Sequence, residues 1–304
     1  MKGLNKLTNQ NLAVWVETAR TQAEKGKVME RIPLLANVKP DLLGVYVCCE
    51  SGNNYNAGDN LNVFPLMSVI KPFSLLYLLE VLGKERVFQW VGKRPSKAAF
   101  NSLEELVNDH GYPRNPMINS GAITLADKLP GDDASERSLL FCQWLNNLAG
   151  CQLYIDVKML ASVRASRSLA NIAIAHYLNT HQRLNNLDFA LDTYEQICCI
   201  SGRVEDLALL GKILACKNPG VSCQHRQIVN EIMLTCGLYE ASSEIAAKIG
   251  LPMKSGIGGG LIAIVPDQGA IAIYSPALDI VGNPVAGLAL IEILTKQLQL
   301  GVFG

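Results

Sequence analysis

Strand-forming runs stand near both ends of this chain, and the residues from about 95 to 235 between them carry mainly helical signals. "LLGVYVCCE" (42–50) is apolar and β-branched, is followed by the turn "SGNN", and leads into a short segment at "YNAGD", which predicts a hairpin. "GLIAIVPDQGAIAIYSP" (260–276) predicts two more strands around "PDQG". Elsewhere the spacing is helical. Leu12, Val14, Trp15 and Val16 begin an amphipathic helix, and Ile70, Phe73, Leu75, Leu76 and Leu79 continue another that Gly83 is placed to end. "LANIAIAHYL" (169–178), "VEDLALLGKILA" (204–215) and residues 284–300 read as helices too. Strands early, helices inserted, then strands and a helix late predict an α/β (α+β) fold. An antiparallel sheet is built from both chain ends, with the helical middle packed beside it. The expected organisation is one domain over 1–304, in which 1–94 and 236–304 form the sheet-containing part and 95–235 the mainly helical part.

At 49% hydrophobic, 304 residues can bury a substantial core. Lysine plus arginine equals aspartate plus glutamate, 27 against 27, so there is no basic field to hold nucleic acid or an anionic membrane. A small-molecule partner is expected instead. The nine cysteines include two adjacent pairs, Cys48-Cys49 and Cys198-Cys199, and no C-x-x-C, which suits reduced thiols in a cytoplasm. Within a strand, Cys48 and Cys49 would face opposite sides. The first twenty residues hold no apolar export segment and no run of 18 apolar residues occurs, so export and membrane insertion are not expected. His110, His176, His181 and His225 are scattered, and Cys223-Gln224-His225 is too slight a pattern for a metal.

The chemistry begins with "FPLMSVIKPF" (64–73), where an apolar run turns helical. Residues i and i+3 share a helix face, which brings Ser68 beside Lys71. A serine hydroxyl is a poor nucleophile until a base takes its proton, and a lysine desolvated among apolar neighbours can lose enough basicity to be that base. An S-x-x-K spacing also arises by chance in a chain of this length. Its weight comes from "MKSGIGGG" (253–260), a lysine-serine-glycine triplet before the late hairpin, in the order that S-x-x-K serine enzymes carry. Glycines there would let a backbone N–H approach a substrate carbonyl.

Four longer blocks, "RNPMINSGAI" (114–123), "MLTCGLYEAS" (233–242), "GLPMKSGIGGGLIAIVP" (250–266) and "SPALDIVGNPVAGLALIE" (275–292), resemble the signature blocks of the bacterial-type serine-dependent glutaminases. The resemblance runs from about residue 11 to 298. It implies the serine β-lactamase and penicillin-binding-protein fold group, with a central antiparallel sheet flanked by helices and a helical subdomain. It also implies hydrolysis of L-glutamine to L-glutamate and ammonia through a serine acyl-enzyme, without metal or cofactor, in a homodimer or homotetramer. Carried over by residue, the resemblance makes Ser68 the nucleophile, Lys71 its activating partner and Tyr194 a second proton shuttle. That role for Tyr194 requires nearby lysine charge to depress its pKa. The backbone N–H groups of Ser68 and Ile257 would form the oxyanion hole. Asn119, Asn171, Tyr239 and Ser255 would contact substrate.

Departures from the family pattern bear on substrate recognition. Val163 stands where the resemblance implies a glutamate that meets the substrate's α-ammonium, and the stretch from Val163 to Asn171 is one residue longer than usual. Met67 replaces the usual glutamine before the nucleophile, and "SVIK" replaces "SISK". Whether a nearby carboxylate such as Asp156 or Glu195 takes over is left open at this level. Two alternatives follow: a related serine acyl hydrolase with an altered substrate, such as a β-lactam-reactive enzyme or an esterase, and a catalytically impaired amino-acid-binding sensor.

Overall fold

The computed structural model describes residues 3–301. Its strands are β1 (Gly44–Cys49), β2 (Asn54–Gly58), β3 (Phe64–Pro65), β4 (Tyr154–Ile155), β5 (Ile200–Gly202), β6 (Met253–Ser255), β7 (Gly260–Val265) and β8 (Gly269–Tyr274). Five form an antiparallel sheet in the order β2-β1-β8-β7-β6, with β1 from the first part of the chain hydrogen-bonded to β8 from the last. Val45 and Leu261 both lie opposite Ile273 in register.

The strands β1, β7 and β8 are buried on both sides, and their period-2 alternation sorts side chains between two cores. Val45, Val47, Leu261, Ala263, Ile271 and Ile273 join one core with the helices Asn9–Arg20 and Val285–Leu298. Cys48, Ile262, Ile264, Ala270 and Ala272 join the other, which contains the helices of the chain's middle. Cys48 and Cys49 face opposite sides as expected.

At the centre of the second core lies the helix Lys71–Leu82, whose residues from Lys71 to Leu79 are all buried. Such a helix needs no polar face, because protein surrounds it. Pro72 stands in its first turn, where a missing N–H costs nothing, and Gly83 at φ 77° ends it. Ser68 precedes this helix in a 3-10 turn, Met67–Ile70, which is a tighter start than the continuous α-helix predicted.

Short strands are the main difference from expectation. β3, β4 and β5 make a separate sheet in the order β3-β5-β4, pairing Phe64 with Gly202 and Tyr154 with Ser201. Two or three residues show no periodicity, which is why they read as breaks between helices. The lysine-serine pair of "MKSG" also proves to be a strand of its own, β6, at the sheet edge. Among the described residues, no helix is long and apolar enough to cross a membrane.

Candidate active site

The pairing of β3 with β5 assembles the reacting end of the site. β3 leads within three residues to Ser68, and the helix Leu187–Cys198 ends two residues before β5. The Leu66 amide donates to the Ile200 carbonyl at 2.8 Å, locking the two segments together. Between β3 and Ser68 the chain turns through Met67, a non-glycine residue at φ 46° in the left-handed region. That conformation costs on the order of 1 kcal/mol and is held by the packing around it. Met67 and Ser68 both line a cavity of about 200 Å³.

Lys71 is 1% exposed. Its Nζ donates to the Asn119 Oδ1 at 2.8 Å and to the Met117 carbonyl at 3.0 Å. Burial lowers its pKa to about 8, against an opposing influence from the Cys198 thiol. An amine with two of its hydrogens engaged this way can, when neutral, turn its lone pair to a third partner. Asn119 opens the helix Asn119–Ala126, but its side chain makes no capping bond. It joins the site instead, accepting from the Tyr194 hydroxyl at 3.2 Å and donating from Nδ2 to the Asn171 Oδ1 at 2.8 Å. Asn171, at the end of the longer 163–171 stretch, therefore lines the same cavity.

Tyr194 departs from the sequence expectation in its acidity. Its hydroxyl is buried, and burial together with the Cys198 thiol drives its pKa well above 10. The Lys71 ammonium sits 5.8 Å from the ring centroid, over the face of the ring. Desolvation is the largest cause of that rise, and the hydroxyl donates to Asn119.

A second buried lysine, Lys254 on β6, went unassigned in the sequence beyond its membership of the K-S-G triplet. Burial and the charge of Lys71 hold its pKa well below the ordinary lysine value. Its Nζ donates to the Ser255 carbonyl at 2.6 Å and lies 4.2 Å from the centroid of the Tyr239 ring. The signal that could have found it is the strand period: if Lys254 faces the site, Ser255 cannot. Ser255 indeed turns away, its hydroxyl 2.6 Å from the Asn283 Oδ1 beside the final helix. Tyr239, at φ 58°, places its hydroxyl against Ser68 and donates to the Ser255 carbonyl at 3.3 Å. Its pKa is pushed up to about 12 by burial.

The loop after β6 approaches the Ser68 backbone closely. A Cβ on Gly256 would fall 2.8 Å from the Leu66 carbonyl oxygen and 3.2 Å from the Ser68 nitrogen, so only glycine fits without a shift. The next residue, Ile257, lines the cavity beside Ser68.

Arg31, Val163, Ser168, Asn171 and Glu195 line the same cavity. Val163 is buried and offers no charge. Asp156 is elsewhere, capping the helix Val157–Ala165 by accepting from the amides of Lys158 and Met159. The ring nitrogen of His225 lies 2.8 Å from Glu80. Among the described residues, no group of three or more His, Cys, Asp or Glu side chains is arranged to hold a metal ion.

An antiparallel sheet between helical layers, with a serine-lysine pair at the start of the central helix, defines a mixed α/β protein of the β-lactamase-like class. A family model described as Glutaminase matches residues 26–303. A glutaminase of Synechocystis is 42% identical over 292 residues, covering 95% of this chain and 89% of that protein, and one of Cronobacter sakazakii is 35% identical, covering 98% and 99%. Among solved structures, a probable glutaminase of Bacillus subtilis superposes with a TM-score of 0.90 at 30% identity over 99% of both chains. A probable glutaminase of the same species, complexed with 6-diazo-5-oxo-L-norleucine, gives 0.88 at 31% identity over 97% of each. The chain belongs to the glutaminase family.

Proposed function

We propose that this protein hydrolyses the side-chain amide of L-glutamine through an acyl-enzyme on Ser68, releasing ammonia and then L-glutamate. The observation that carries the reading is Lys71: buried, three residues from Ser68, hydrogen-bonded through Asn119 to the rest of the site, and with a pKa near 8. About a tenth of such a lysine is neutral at pH 7, enough for a base that is regenerated in each cycle. The Ser68 hydroxyl gives its proton to neutral Lys71 as its oxygen attacks the amide carbon. The developing oxyanion is received by the N–H groups of Ser68 and Ile257, an arrangement that the close packing of Gly256 on the Ser68 backbone supports. Lys71 then protonates the departing nitrogen, which leaves as ammonia. Water attacks the ester, giving a proton to Lys71, and Lys71 returns it to Ser68 as glutamate leaves.

In this scheme Tyr194 and Tyr239 remain neutral donors. Tyr194 orients Asn119, and the Tyr239 hydroxyl, its proton held by the Ser255 carbonyl, lies against Ser68. The B. subtilis complex with 6-diazo-5-oxo-L-norleucine, a glutamine analogue, supports an amino-acid substrate of this length. All nine cysteines are unpaired, eight of them buried, which fits a cytoplasmic protein. A homo-oligomer is proposed from the family alone.

The test is release of ammonia and glutamate from L-glutamine, with L-asparagine and D-glutamine as controls. Turnover should fall on the order of 10⁴-fold or more in Ser68→Ala without loss of folding. Equal turnover by the variant would remove Ser68 from the chemistry, and glutamine binding without turnover in the wild-type protein would favour the sensor.

A further inference from the structure

Resting on the reading of the cavity as a glutamine site, we infer that Glu195 is the group that recognises the substrate's α-ammonium. Among the described residues lining the cavity, Glu195 is the one carboxylate and Arg31 the one cation. A zwitterionic head group brought into a site this enclosed must meet an anion, because an unpaired buried ammonium is costly. Val163 supplies none, and Asp156 is committed to a helix cap.

The geometry leaves Glu195 half-engaged. Its side chain is 9% exposed, and Arg167 binds it from two nitrogens, Nε at 3.1 Å and Nη2 at 2.8 Å, both to Oε2. The Arg164 Nε stands 4.0 Å from the same oxygen. Oε1 takes no hydrogen bond from any described residue. Arg164 and Arg167 are also shared with Asp192, the former through a direct contact and the latter at 3.9 Å, so their charge is not spent on Glu195 alone. The result is a carboxylate anchored by one oxygen with the other free to accept an N–H from a ligand. Burial raises its pKa and Arg167 opposes that, a balance suited to a carboxylate that stays ionised when a cation arrives. Glu195 follows Tyr194 on the same helix, and Asn171 and Ser168 line the same cavity, so the ammonium site connects directly with the reacting end.

Glutaramate, which is glutamine without its α-amino group, isolates this contact. Titrations would be run on Ser68→Ala protein, so that binding is read without turnover. Adding Glu195→Gln should weaken glutamine ten- to a hundredfold and change glutaramate less than about threefold. Adding Val163→Glu to that protein should recover most of the lost glutamine affinity while leaving glutaramate alone, which also shows that the variants are folded. Glutamine affinity unchanged by Glu195→Gln would overturn the inference, as would parallel losses for both ligands, which would make Glu195 only a partner for Arg167. If the wild-type protein turns over no glutamine but binds it in a Glu195-dependent way, hydrolysis fails and the recognition stands. No binding of glutamine at all overturns both.

Discussion

The two faces of the five-stranded sheet are built from alternating residues of the same strands, yet they serve different ends. One face packs Leu12, Val16, Val45, Ile273, Leu290 and Leu294 into a continuous apolar core. The other, packed against the central helices, contains Lys71 and Lys254, each at most 1% exposed, together with Asn119 and Tyr194. Burying two amines a few residues from apolar neighbours costs stability, and the lowered pKa of each is that cost in another form. Stability is gathered on one side of the sheet and given up around the buried amines on the other.

Lys71→Met separates the two faces most strongly. Removing the base should lower kcat/KM about 10³-fold, while stability at pH 7 should rise, since the pKa falls from 10.5 to about 8 on folding and that penalty exceeds the loss of the donor to the Met117 carbonyl. The sign follows from linkage. Below pH 8 the folded state must carry a buried charge that the unfolded chain carries in water. Between pH 8 and 10.5 the folded state has shed the proton and the unfolded state has not, so wild-type stability gains on the variant with rising pH. Chemical denaturation at pH 7 and pH 10 measures both values, and a variant no more stable than wild type at pH 7 would erase the contrast between the faces.

On the apolar face, Leu290→Ala should have the opposite signature. Leu290 is fully buried in the core behind the sheet, so truncation should cost about 2–5 kcal/mol. The kcat and KM for glutamine should stay within about twofold, because the side chain faces away from Lys71 and the cavity. A large change in kcat would mean that strain crosses the sheet.

The smallest of the three effects is the pH profile. With Lys71 required neutral, kcat/KM should rise about tenfold per pH unit up to a bend near pH 8 and flatten beyond it. Stopped measurements of ammonia release across pH 6 to 9 would show it. A flat profile over that range would return the role of base to another group.

Much of this architecture was legible in local patterns. Alternation in 44–49, 260–265 and 269–274 specifies strands, and the helical spacing after Ile70, closed by Gly83, specifies the central helix, because both depend on neighbours a few residues away. The pairs of β3 with β5 and β4 with β5 were not legible, since two-residue strands exist only through their partners. For the same reason Met253–Ser255 shows no period of its own, and only the alternation rule separates Lys254 from Ser255, without saying which faces the site.

The site divides along that line. The i, i+3 spacing alone places Ser68 and Lys71 within one helical turn, and glycines flank Ile257 in the sequence. Only the tertiary structure decided what the pair would meet: Asn119, 48 residues from Lys71; Tyr194, 75 residues from Asn119; Asn171, 52 residues from it. It also decided the proton affinities. Burial lowers the Lys71 pKa to about 8 and raises that of Tyr194 because packing strips water from both, and packing of distant segments leaves no signature in any short stretch of chain.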